Sequence, residues 1–142
     1  MLKDTLTEEM KTAMKARAAE RLGVIRMMLA AIKNAEIDKG ELDDDATIAV
    51  LKSERKKMRD AIDQFKSAGR DELVAEETEK LKVMEEFLPE EMSREEIEKI
   101  VSQVITEAED KNFGKIMGQA MAKTKGQADG NLVQEVVKEK LG

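Results

Sequence analysis

Apolar residues in this chain recur at three- and four-residue intervals, the repeat that gathers side chains on one face of an α-helix. The clearest stripe is Leu22, Ile25, Met28, Leu29 and Ile32, on a helix predicted over about 19–39 and stopped by Gly40. Ahead of it, Asp4 is placed to cap a first helix reaching about residue 17. Behind it, Asp43-Asp44-Asp45 cap a third helix with Leu51, Met58, Ile62 and Phe65 on its core face and a stop at Ala68-Gly69. A fourth, predicted over 71–87, buries Leu73, Val74, Leu81 and Met84 and ends at the single proline, Pro89. Residues 88–92 read as a linker. Ser93-x-x-Glu96 is a capping box that opens a fifth helix, with Ile97, Ile100, Val101, Val104 and Ile105 as its apolar positions. Shorter helices are expected over 114–124 and 130–141. The pattern predicts an all-α protein with an N-terminal four-helix unit, residues 1–89, followed by a small three-helix C-terminal domain, residues 93–142.

Composition supports helices and narrows the chemistry. Charged residues make up 39% and aromatic residues 2% of the 142 positions, a balance that suits helices rather than sheets. High charge with low hydropathy also occurs in disordered chains, but the helical spacing of the apolar residues argues for folded helices. Histidine and cysteine are absent, which removes disulfides, thiol catalysis and the usual general base. The chain has no phosphate-binding G-x-x-x-x-G-K-[ST] loop and no dinucleotide fingerprint. Its four serines lie on charged helical stretches, unlike the nucleophile region of a serine amidase. The acidic run from Glu72 to Glu98 lacks the spacing of a calcium loop and reads as a solvated face. These residues predict a protein with no catalytic residues, no cofactor and no metal. The longest apolar stretch is far short of a membrane span and no signal peptide is recognisable, so a cytoplasmic protein is expected.

The net charge of −6 is unevenly spread. Residues 1–33 carry seven Lys/Arg against four Asp/Glu, residues 34–110 twelve against 24, and residues 111–142 six against three. An acidic middle between basic ends does not describe a general nucleic-acid binder, and no DNA partner is expected. It permits a local basic patch that meets a folded RNA at one place.

That patch is best sought between Phe113 and Leu132, where an amphipathic helix runs into Lys123, Lys125 and Gly126 before Asp129 opens the next helix. Lys123 and Lys125 also suit a helix end for dipole reasons alone, and Gly126 suits a left-handed cap. Gly118, in mid-helix, costs about 1 kcal/mol relative to alanine and points to close approach of a neighbouring helix or of a nucleic-acid backbone. Lys115, Lys123, Lys125 and Gly126 form the candidate RNA-binding set, with Arg26 and Lys33 extending it from the second helix. Lys52, Lys56 and Arg59 share a face of the third helix that Asp60 and Asp63 close off, which reads as solvated surface rather than a track for RNA. Arg21 falls inside an apolar stripe, either as a boundary arginine with its head in water or as a paired arginine shared with the first or third helix. The ten methionines mostly sit at core spacing, as Met28, Met58, Met84, Met117 and Met121 do, and read as flexible core filler.

Met117-Gly118, Met121, Lys123, Lys125-Gly126, Ala128 and Val133 resemble the tail domain of the tRNA-dependent amidotransferase B subunit, shared with stand-alone proteins of the GatB/YqeY-domain family. Arg21-Leu22-x-Val24-Ile25-Arg26, Ala68-Gly69-Arg70 and Leu88-Pro89 extend the resemblance to the stand-alone proteins over essentially the whole chain. Asp129-Gly130 departs from the Asn-Pro common in amidotransferase tails. The resemblance implies a tail that contacts tRNA, associated with a carbon–nitrogen ligase using glutamine as amido donor whose chemistry resides in other domains. Two readings follow from it. One is a tRNA-binding accessory module without catalytic activity of its own. The other is a protein-interaction adapter docking on an amidotransferase or an aminoacyl-tRNA synthetase.

Overall fold

The computed structural model describes residues 1–125 and 127–142. Among the described residues the protein is all-helical: α1 (Leu2–Lys15), α2 (Ala19–Lys39), α3 (Asp44–Ser67), α4 (Asp71–Glu85), α5 (Arg94–Glu107), α6 (Phe113–Thr124) and α7 (Gly130–Leu141). Contacts divide the chain into two units, Met1–Leu88 and Pro89–Gly142.

In the first unit α2 touches α1, α3 and α4. Its buried arc is therefore wider than one stripe. Val24 is buried beside Ile25, Met28 and Ile32, while Leu22 and Leu29 are only partly covered. Leu6 and Ala13 of α1, Leu51, Met58 and Ile62 of α3, and Met84 at the end of α4 complete this core. The other predicted core residues of α4, Leu73, Val74 and Leu81, are half-buried, as is Phe65 of α3. Arg55 of α3 is buried as well. Methionine serves as filler where expected: Met28, Met58 and Met84 are buried, and Met117 and Met121 of the second unit are half-buried.

The ends of these helices show which local signals act. Asp43 caps α3 by accepting a hydrogen bond from the Ala46 N–H at 2.8 Å. Asp44 reaches across 42 residues and accepts from the Leu2 N–H at 2.9 Å, so α1 is capped from α3. Asp4 is not the cap of α1; it lies in the first turn, where a negative charge favours the helix dipole. Gly40 ends α2 at φ 81°, ψ −170°, a region open essentially to glycine alone. α4 stops at Glu85, two residues earlier than predicted, and Leu88 is buried in the first unit's core instead of lying in a linker.

The second unit is a mutual packing of α5, α6 and α7. Ile97, Val101 and Val104 meet Ile116, Ala120 and Ala128, and Val133, Val136 and Val137. So small a core leaves little surplus over conformational entropy. Each of its helices has a side-chain cap. Ser93 Oγ accepts from the Glu96 N–H at 3.2 Å, Asn112 Oδ1 from Gly114 at 2.9 Å, and Asp129 Oδ1 from Asn131 at 3.1 Å. Met92 is fixed to this unit by its N–H, which donates to the Gln127 carbonyl at 2.7 Å.

Candidate nucleic-acid interface

α6 carries most of the candidate residues. Ile116, Ala120 and Thr124 face the core and are buried. With that side committed, Gly114, Gly118 and Ala122, four apart, lie on the outward side. Lys115, Gln119 and Lys123 follow the same four-residue spacing beside them and line a shallow cup of about 480 Å³ together with Glu107, the last residue of α5, and Glu109 and Asp110 just beyond it.

The cup is mixed in charge. Lys115 Nζ donates to Asp110 Oδ2 at 2.9 Å, and Lys123 Nζ stands 3.8 Å from Glu107 Oε2. The four side chains are 43–65% exposed, so these pairs add little to stability. Lys125 is exposed, and it is the residue that takes the left-handed conformation at the end of α6, at φ 50°, ψ 39°. The sequence pattern assigned that role to Gly126, which lies outside the described residues.

Of the two sequence readings of Gly118, close approach of a neighbouring helix is not met within its unit: the residue is exposed, and among the described residues nothing lies within 4 Å of where a Cβ would stand. Arg26 and Lys33 are exposed on α2 and belong to the other unit. On α3, Arg59 is turned toward α4, 3.9 Å from Glu85.

Two arginines organise the surface charges. Arg21, at the start of α2, is paired as one sequence reading had it. It bridges Glu86, beyond α4, and Glu9 of α1 at 3.3 Å, with its guanidinium 5.4 Å from the centre of the Phe87 ring. The hydrogen bond it donates to Glu86, then that to Glu9, raises its pKa above the ordinary arginine value. Arg94, first residue of α5, had no sequence signal. It bonds Glu98 at 3.0 Å, approaches Glu135 of α7 at 3.5 Å and hydrogen-bonds Glu139. Glu98 and Glu139 likewise raise its pKa. Only the i, i+4 spacing of Arg94 and Glu98 could have hinted at it. The second unit as a whole, with eight Lys/Arg against eleven Asp/Glu, is acidic despite its lysines. Among the described residues no group of three or more Asp or Glu could hold a metal ion, and no helix is long and apolar enough to cross a membrane.

Comparison with known proteins gives this geometry a context. The chain is 28% identical to a Pyrenophora tritici-repentis protein named altered inheritance of mitochondria protein 41, mitochondrial, over 96% of its own length and 79% of the relative's. It is 35% identical to the Kluyveromyces lactis protein of the same name, over 78% of its own length and 66% of the relative's. It is also 44% identical to the E subunit of glutamyl-tRNA(Gln) amidotransferase from Aeropyrum pernix over an alignment of 57 residues that covers 35% of this chain but only 9% of that protein. That shared stretch is about as long as the second unit. A family model described as Yqey-like protein matches residues 3–141, from the first turn of α1 to the end of α7. The chain belongs to this family of Yqey-like proteins.

Proposed function

We propose that the chain is a tRNA-binding accessory module whose contact surface is the outward side of α6, without catalytic activity of its own. The observation that carries the reading is Gly118. A glycine inside a helix costs about 0.5–1 kcal/mol relative to alanine, and at Gly118, as at Gly23 of α2, no close packing among the described residues offsets it; what sets Gly118 apart is that it lies between Lys115 and Lys123. Such a position suits a ligand whose backbone comes close to the helix from outside. Lys115, Lys123 and Lys125 on the same helix and at its end supply the cations that a phosphate chain needs. The name of the amidotransferase protein that aligns with this chain over 57 residues supports tRNA as the ligand. The reading puts the protein's work in the cytoplasm, and a tagged copy found concentrated in another compartment contradicts that part.

Two variants test it. Phosphate contacts release counterions, so tRNA affinity should fall linearly with salt on a log–log plot. Changing Lys123 and Lys125 together to alanine should flatten that slope by roughly one to two units, with helicity unchanged. Gly118→Ala should raise stability by about 0.5–1 kcal/mol while weakening tRNA binding, because the added methyl stands where the ligand backbone would come. Full binding by both variants at every salt concentration removes α6 as the site.

The adapter reading has one observation in its favour: the first unit, like the second, is net acidic, with 17 Lys/Arg against 20 Asp/Glu. It predicts that a partner enzyme is retained by the Lys123/Lys125 double variant.

A further inference from the structure

We propose that Glu107 and Asp110 are selectivity residues, which make the Lys115–Lys123 cup accept a ribonucleotide unit of RNA in preference to a deoxyribose-phosphate chain. The inference rests on the tRNA reading above and adds the chemistry by which that surface tells one phosphate chain from another.

The geometry of the two carboxylates points to it. Each uses one oxygen within its own unit and turns the other toward a lysine. Asp110 Oδ1 accepts from the Asn112 N–H at 3.0 Å, while Oδ2 receives Lys115. Glu107 Oε1 accepts from Gln103 Nε2 at 3.3 Å, while Oε2 faces Lys123. The carboxylates are therefore the positioned partners, and the lysines, on flexible four-carbon stems, are the ones free to swing. Exposed pairs of this kind are weak and exchange readily.

A phosphate entering the cup draws the lysines toward itself and leaves both carboxylates without their cations. A ligand that offers only phosphates meets that loss, together with repulsion from Glu107, Asp110 and Glu109, the third acid that lines the cup. A ribose 2′-hydroxyl can donate a hydrogen bond into the vacated carboxylate oxygen, and deoxyribose cannot. The cup's volume, about 480 Å³, falls in the range of pockets that hold one small ligand, enough for a single nucleotide unit. Gln119, between the two lysines, can both donate and accept there.

The test is fluorescence anisotropy at 0.1 M salt with a tRNA transcript and with DNA of the same sequence. Three proteins are compared: the parent, E107Q/D110N and K115A/K123A. The amide side chain at position 110 keeps the acceptor for the Asn112 N–H, and circular dichroism checks that all three fold alike. In E107Q/D110N the affinity for DNA should rise by about fivefold or more and that for tRNA by no more than about twofold, so the preference for RNA shrinks. An equal gain on both ligands, or no gain on DNA, overturns the selectivity proposal. The tRNA reading fails separately, if K115A/K123A binds tRNA as tightly as the parent.

Discussion

Two left-handed residues show how much a single position can add to or take from this fold. The end of α3 is a Schellman turn: Arg70 N–H donates to the Phe65 carbonyl, Gly69 N–H to the Lys66 carbonyl, and Gly69 sits at φ 70°. α1 ends in the same turn, with Ala18 N–H on Ala13 and Arg17 N–H on Met14, but there the left-handed residue is Arg17 at φ 54°. A side chain in that region costs about 1–2 kcal/mol, part of which glycine returns through its looser unfolded state. Arg17→Gly should therefore stabilise the protein by about 1 kcal/mol in urea unfolding, and a loss of stability contradicts this account of the turn. Lys125 holds the same conformation at the end of α6. There the strain falls on a residue of the candidate interface.

Among the elements, the contrast lies in how the helices begin. α5, α6 and α7 have 12 to 14 residues each, short enough to be marginal alone, and all three are capped by a side chain at their own N-cap. Asn112→Ala should cost the second unit about 1 kcal/mol, read as a loss of helical signal at lower urea concentration. An unchanged midpoint shows that the cap is dispensable. Ser93, Asp129 and Asp43 were legible as caps because each stands directly before an apolar repeat. Asn112 was not, since the predicted helix began at Gly114, two residues beyond it. Asp4 was misleading for a physical reason: the Leu2 N–H ahead of it is capped by Asp44, and no local pattern reports a partner 42 residues away. The same limit hid Arg94, whose partners Glu135 and Glu139 come together with it only when α7 packs on α5. Gly118 stood out in the sequence, but whether a neighbour required it could be decided only with the other helices in place.

For the whole molecule, charge sets the terms of any encounter with nucleic acid. Both units carry more acidic than basic residues, so at long range the net charge repels a polyanion and binding has to come from a local surface. On the tRNA-binding reading, three lysines offer few phosphate contacts, so the affinity expected of the free protein is roughly micromolar and salt-sensitive. The stretch shared with the amidotransferase protein is 9% of that protein's length, and on the tRNA-binding reading this chain supplies recognition while chemistry is done elsewhere. The most direct test is to titrate the isotope-labelled protein with tRNA and follow every backbone amide by NMR. The tRNA-binding reading predicts shifts concentrated on residues 107–125, with Gly118, Lys123 and Lys125 among the largest and α1 to α4 nearly still. Shifts confined to the first unit, or none at a hundred-micromolar excess of tRNA, contradict it.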